Sequence, residues 1–452
     1  MAAPQTSTRP ARGAELELTV DTLAHGGNGV ARLDGYVVFV RGGVPGDRVR
    51  AVVTKRKRAY AEARTVDVLE PSPDRIPEVA HHPGAPWQVL PYERQLDVKQ
   101  AQVGDALRRI GRLEGHVLED IVPAVEQWRY RNKLEYSFGA GTEGELICGF
   151  HAPGSWEEIV PISDCLLASE RGNAAREAVL AWAREQGLTA LDRRTRSGLL
   201  RNLVVREGRR TGEISVRLVT GPGDIDVASF ADAVPCDSLL WTTTDGLGET
   251  TSGGRTTLVS GSEQIHEELS GLRFAISPEA FFQTNTEMAE RLYGVAGDLA
   301  ALEGWERVYD LYSGIGTVGL SLASRSGELW GIEVVEQAVA DAIANARANG
   351  IDKARFFAGD VRLALRDLAE KAGRPDVVIV DPPRAGLSAK VVRRIIETSP
   401  RRVVYISCNP TTLAPNAAQL VEAGYALRRV RPVDMFPQTP HIECVAVLER
   451  VA

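Results

Sequence analysis

No apolar run in this 452-residue chain reaches the roughly 18 residues needed to cross a bilayer. The opening segment, MAAPQTSTRPARGAELEL, has no apolar stretch that could serve as a signal-peptide core. Cysteine is sparse: five residues, an odd number far apart, do not make a disulfide framework. These absences argue against a membrane protein and a stapled secreted scaffold, and make a reducing cytoplasm the expected compartment. With 44% hydrophobic and 25% charged residues the chain is no disordered polyelectrolyte. At roughly 100–200 residues per domain, its length predicts two to four domains.

The net charge is −7, yet cations are concentrated twice. Residues 41–64 and residues 193–217 each carry eight Lys/Arg against two Asp/Glu. An acidic protein with two basic stretches can hold a polyanion on one face, although basic runs are also ordinary solvated surface.

Residues 1–13 read as a disordered tail. Residues 14–72 hold short β-branched and aromatic runs (ELELTV, YVVFV, RVRAVVTKRKR, YAEARTVDVLE) split by the turn-rich HGGNGVARLDG, a pattern that predicts a small OB-like β-barrel. After a proline-rich linker, residues 91–112 have helical spacing, with Leu96, Val103, Leu107 and Ile110 on one stripe and Gly111 at the stop. Strands dominate from about 120 to 265, interrupted by one helix near 169–186. Residues 73–270 therefore form a central, mostly antiparallel α+β domain. From 271 to 452, apolar runs such as RVYDLY, GELWGIEVV, PDVVIVDPP and RRVVYIS alternate with helical segments, the pattern of a doubly wound, Rossmann-like parallel sheet.

Ligands bind such sheets beyond the carboxyl ends of the strands. The first strand runs into Asp310-Leu311-Tyr312-Ser313-Gly314-Ile315-Gly316-Thr317-Val318-Gly319, whose glycine spacing alone also suits a nicotinamide dehydrogenase. Glu333, 19 residues after Gly314, is placed to accept ribose hydroxyls. Asp360 follows the third strand, within reach of an adenine amino group. The fourth strand ends Asp381-Pro382-Pro383-Arg384, a stiff turn over the pocket that suits S-adenosylmethionine better than a dinucleotide. Cys408 ends the fifth strand between Ser407 and Asn409, placed to act as a nucleophile, whereas Cys148, Cys165 and Cys236 read as buried small hydrophobes. Glu443 opens a late strand in Pro-His-Ile-Glu-Cys-Val and is a candidate general base, its plainer reading being an ion-paired core carboxylate.

The set Phe281-Phe282-Gln283-Thr284-Asn285, DLYSGIGTVGL, DPPRAGL, SCNPTTLAPN and HIECVAVLER resembles the RNA 5-methyluridine methyltransferases, with the motifs in that family's order. HGGNGVARLDGYVVFVRGGVPGDRV resembles the TRAM RNA-binding domain, and Tyr130-Arg131-Asn132-Lys133 and RRTRSGLLRN are similar to family segments near the RNA. The resemblance implies Cys408 as nucleophile and Glu443 as base. It implies Gln283, Tyr312, Glu333, Asp381 and, less directly, Asp360 as S-adenosylmethionine contacts, and RNA as partner, ribosomal before transfer RNA. The two basic stretches then become RNA backbone contacts. A non-catalytic RNA-binding protein that keeps the fold is the alternative. Many members also hold an iron–sulfur cluster through three closely spaced cysteines and a distant fourth. Here the corresponding stretch, Ala80 to Gln88, has no cysteine, only Cys165 stands near the fourth position, and His81 and His82 could not make up the number, so no cluster is expected.

Overall fold

A computed structural model describes residues 9–192, 194–246, 248 and 250–451. Most of the expected amino-terminal tail, and Arg193 of the second basic stretch, lie outside the described residues.

The first unit is a six-stranded sheet whose edge strands, Glu15–Thr19 and Thr22–Leu23, are neighbours in sequence. Two residues cannot span an open six-stranded sheet, so the sheet rolls into a barrel. Strand Arg48–Arg56 shows the driving alternation: Val49, Ala51 and Val53 fill the interior while Arg48 and Arg50 face solvent. The proline-rich linker is tied to the barrel by the buried carboxylate of Asp47. It accepts N–H groups of Val44 and Ser72 and pairs with Arg75 at 2.7 Å, contacts that hold its pKa low despite burial.

Helix Tyr92–Asp105 runs on as a π-helical turn, Ala106–Ile110, and stops at Gly111. Its Val103 and Leu107 are buried in the core of the carboxy-terminal sheet. The central unit is a seven-stranded sheet spanning Lys133 to Gly261, antiparallel except where Ile214–Thr220 runs parallel to Ser238–Thr243. Helix Glu170–Glu185, capped by Ser169, covers one face.

In the carboxy-terminal sheet we label β1 Arg307–Leu311, β2 Glu328–Glu333, β3 Ala354–Ala358, β4 Val377–Val380, β5 Arg402–Ser407, β6 Tyr425–Val433 and β7 Glu443–Arg450. Their order is β3-β2-β1-β4-β5-β7-β6, with β7 antiparallel to both neighbours and Val117–Leu118 added at the edge. Each face buries its own core. The strand order, not the chain direction, reverses between the parallel β1 and β4, and ligands of such sheets bind in the crevice beyond the carboxyl ends at that point. No helix among the described residues is long and apolar enough to cross a membrane.

Candidate functional site

The glycine loop after β1 is held by left-handed backbone at Tyr312 (φ 66°), Gly314 (53°) and Gly316 (87°). Tyr312 is not glycine, so its conformation carries strain, offset where the Tyr312 and Ser313 N–H groups both reach the Ile332 carbonyl at 2.9 and 3.1 Å. Gly319 donates its N–H to Asp310 Oδ2 at 2.9 Å, and a Cβ there would stand 2.7 Å from that oxygen. The third glycine is therefore a packing requirement between loop and strand. Burial pushes the Asp310 carboxyl up to about 7, with Asp381 and Glu333 adding repulsion. Asp310 Oδ1 and Ser313 Oγ are buried and find no partner among the described residues.

Glu333 accepts the Gly314 N–H at 3.1 Å on one oxygen and those of Val334 and Val335, at 2.7 and 3.0 Å, on the other. A carboxylate has about four acceptor positions, so capacity for a ligand hydroxyl remains. Asp360 caps helix Val361–Ala372 through the Arg362 N–H and pairs with the Arg362 guanidinium at 3.3 Å, a local role that the sequence did not reveal. Tyr312 lies close enough to Asp360 and Glu333 for both to raise its hydroxyl pKa after burial does so. Gln283 is buried; its carbonyl accepts from Asn132 of the central unit at 2.9 Å. Asn285 caps helix Thr286–Ala300 and ties the same loop to the Met435 carbonyl.

On the other side of the crevice, Ser407 of β5 pairs with Cys444 of β7. Cys408 and Glu443 adjoin that last pair on the two facing strand ends, close enough for Glu443 to raise the Cys408 thiol pKa. Asp381 stands at the end of adjacent β4. Burial pushes Asp381 up to about 7. Burial and then Asp381 raise Glu443 well above the carboxylate range, while Arg384 opposes. Cys408 is pushed up to about 11 by burial, Glu443 and Asp381 in that order. Three acids share the site, and they cannot all ionise without a cation.

Arg384 answers part of that demand. Its guanidinium donates to His441 Nδ1 at 2.8 Å, and Asn409 Nδ2 holds its carbonyl at 3.1 Å. Burial and then Arg384 lower the His441 pKa to about 4, so the ring is neutral. The barrel reaches this rim as well: burial and then Arg384 lower the His25 pKa, and a Cβ at Gly27 would lie 2.8 Å from Pro440 Cβ. Tyr293, fully enclosed, bonds Thr317 at 3.1 Å and lies near Asp381 and Glu443. Sequence reading missed Asp310, Tyr293, Arg384, His441 and His25 as site residues. Asp310, Arg384, His441 and His25 stood inside segments already singled out, but none of those segments pointed to a role at this rim, and Tyr293 lay outside them.

Segment 434–442, which delivers Glu443, is gripped from outside its own sheet. The fully buried Lys99 pairs with Asp434 at 2.6 Å and Tyr92 donates to the same carboxylate at 2.9 Å. Gln95 and Gln438 exchange hydrogen bonds at 2.8 and 2.9 Å, and Tyr130 donates to the Pro437 carbonyl at 3.0 Å.

The basic stretches need correction. In the second, Arg201, Arg206 and Arg217 are buried. Arg206 donates to the Ala280 carbonyl, Arg201 to carbonyls of Gly246 and Gly248, and Arg217 pairs with Glu279. Arg210 pairs with Glu290. Arg201 braces the central unit, while Arg206, Arg210 and Arg217 tie it to residues 279–290, so these four are engaged within the chain. In the first stretch Arg48, Arg50 and Lys55 are paired on the barrel surface, while Arg56, Lys57, Arg58 and Arg64 are exposed and enter no ion pair among the described residues.

Cys148 and Cys165 are buried as expected, but Cys236 is only half-buried. Cys165 Sγ lies 3.3 Å from His82 Nε2. Because His82 Nδ1 accepts the Gly84 N–H at 3.1 Å, the ring proton sits on Nε2 and is donated to sulfur. Phe150 and Tyr136 pack beside this pair. One hydrogen-bonded thiol in an aromatic enclosure does not fit a four-thiolate cluster.

Residues 259–451 match the family model described as tRNA (Uracil-5-)-methyltransferase, and residues 10–66 match the TRAM domain. The chain is 37% identical over 444 residues to an uncharacterized RNA methyltransferase of Halalkalibacterium halodurans, covering 96% of each. It is 38% identical over 454 residues to one of Bacteroides thetaiotaomicron, covering 94% of this chain and all of the relative. The solved Pyrococcus abyssi tRNA (uracil-54, C5)-methyltransferase, in complex with S-adenosyl-L-homocysteine, superposes with a TM-score of 0.78 at 30% identity, over 96% of this chain and 99% of that one.

Proposed function

The chain belongs to the family of S-adenosylmethionine-dependent RNA 5-methyluridine methyltransferases, and from that premise we propose that it methylates carbon 5 of a uridine in ribosomal RNA, in the cytoplasm, through a covalent bond between Cys408 and the base. The observation that carries this reading is the strand register that seats Cys408 beside Glu443 at the switch-point crevice, with Asp381 and Arg384 at the same rim.

S-adenosylmethionine, when bound, supplies the methyl group and a positive sulfonium. The residues present fit it: Asp310 Oδ1 and Ser313 Oγ are buried polar atoms awaiting partners, Glu333 keeps acceptor capacity, and the acid-rich crevice calls for a cation. Gln283, Tyr312, Glu333 and Asp381 would hold it, with Asp360 contributing beyond its capping role.

Carbon 5 of uracil is a weak nucleophile. Addition of the Cys408 thiolate to carbon 6 moves the ring's electron pair toward carbon 5 and O4, and carbon 5 would then take the methyl group of bound S-adenosylmethionine, whose sulfur would keep the bonding pair and leave as S-adenosylhomocysteine. The Glu443 carboxylate then removes the proton from carbon 5. The freed pair reforms the 5,6 double bond and expels the thiolate. Arg384 favours the charged forms of both Cys408 and Glu443, and His441 fixes its direction by accepting one of its N–H groups. The target base must leave its stack to enter the crevice.

A second reading, transfer RNA as substrate, is favoured by the Pyrococcus neighbour, whose own target is tRNA uracil 54. Ribosomal and transfer RNA from a strain lacking the gene, incubated with labelled S-adenosylmethionine, separate the two. Cys408→Ala should give neither adduct nor product. Glu443→Ala should accumulate a methylated protein–RNA adduct that survives a denaturing gel. Full turnover by Glu443→Ala would remove Glu443 from the mechanism and leave Asp381 as the next base to test.

A further inference from the structure

An open cavity of about 330 Å³ lies in the central unit, away from the cofactor crevice. That volume is at the small end of ligand pockets, about 300–1,000 Å³. Phe138, Ile159 and Leu200 form apolar walls, and Trp156, 57% exposed, stands at the opening. A large aromatic left this open is costly in water and is the usual platform for an unstacked base. The polar floor is preset. Asn202 donates to Ser137 Oγ at 3.2 Å, and Ser137 Oγ and His151 Nε2 share a hydrogen bond at 3.1 Å. At the rim, Arg194 pairs with Glu157 across the two loops that form the mouth. Both side chains are exposed, and such a pair contributes little, so a phosphate can replace the carboxylate without much loss.

The cavity's position links it to the other RNA-facing parts. Strand Lys133–Ala140 starts next to Asn132, which bonds Gln283 at the crevice, and ends in the cavity wall. Its eight residues span about 23 Å. A strand of stacked nucleotides, about 3.4 Å apart, covers that in about seven steps. The Trp156 loop is also held to the barrel, where Arg41 donates to the Pro153 carbonyl.

We propose that this cavity is a second RNA site, which takes one unpaired nucleobase of the substrate strand against Trp156 and its phosphate on Arg194, some 20–25 Å from the base being methylated. This rests on the RNA-methyltransferase reading above. The site anchors substrate and does no chemistry, so it belongs to KM.

The test uses full-length protein, hypomethylated bulk RNA from the deletion strain, and the variants Trp156→Ala and Trp156→Tyr. Trp156→Ala should raise KM for RNA at least about fivefold with kcat unchanged. Trp156→Tyr, which keeps a stacking face, should stay near the unmodified protein. S-adenosylhomocysteine binding by calorimetry, equal in all three, shows that the fold is intact. Ultraviolet crosslinking and peptide mass spectrometry should place a nucleotide adduct within residues 151–160. An unchanged KM for Trp156→Ala, or crosslinks that avoid this segment, would overturn the second site while methylation stands. Crosslinks at the cavity without methyl transfer by the unmodified protein would overturn the proposed activity and leave the site.

Discussion

Replacing Glu443 by glutamine should make Cys408 more reactive, but only at a pH where Glu443 would have been charged. Cys408 titrates near 11 against an ordinary value of 9.0, with burial the largest cause, Glu443 the second and Asp381 the third. Burial leads that two-unit net shift and Arg384 opposes it, so the size tested for removal of the Glu443 charge is about one unit, or about 1.4 kcal/mol. One unit would make thiolate tenfold more abundant at any pH below the pKa. A less basic thiolate is also a poorer nucleophile, so the net gain in alkylation rate is about threefold. The assay is iodoacetamide labelling between pH 7 and 10, read on the Cys408 peptide. Cys236 is the internal control: its thiol is also pushed up to about 11, but by burial, in a different sheet. The ratio of variant to unmodified rates should be one at low pH and climb to about three. The pH of the climb reports the Glu443 pKa, which should lie above 4.5. A ratio of one throughout, with Cys236 unchanged, would show that burial alone sets the thiol and that the pair is not coupled.

Lys99→Met should cost about 3–5 kcal/mol by stranding the buried Asp434 carboxylate, and Asp434→Asn in the same chain should restore most of it; thermal melting reads both. Changing Arg56, Lys57 and Arg58 together to alanine should weaken RNA binding and reduce the salt slope by about two to three, with S-adenosylhomocysteine affinity unchanged. Anaerobically purified protein should be colourless and carry no iron, because Cys165 is hydrogen-bonded to His82; a brown protein with several irons per chain would contradict that.

The placement of Cys408 just after β5 and of Glu443 at the start of β7 was legible because each ends or begins an apolar run, and strand termini in a doubly wound sheet mark the ligand edge. The linker helix was legible too, from a stripe that includes Val103 and Leu107. What it packs against was not, since periodicity shows that a face is apolar and never names its partner. The basic stretch at 193–217 misled for a related reason. A count of charge along the chain cannot tell Arg194 at a loop tip from Arg206, whose guanidinium is folded inward onto a carbonyl. The reach of His25 and Gly27 to the crevice rim lay hidden because it joins them to Arg384 and Pro440, hundreds of residues along the chain.

The grip on segment 434–442 makes the catalytic half inseparable from what precedes it. Cut at residue 271, the methyltransferase sheet would keep β1–β7 and lose its Val117–Leu118 edge together with Lys99, Gln95, Tyr92 and Tyr130. The Asp434 carboxylate and the Gln438 amide would then turn to water, and the segment that sets Glu443 against Cys408 would be an unsupported loop. The amino-terminal residues thus act as scaffolding for a carboxylate hundreds of positions away. Drift in the linker helix is felt first as misplacement of Glu443, before any of β1–β7 loosens.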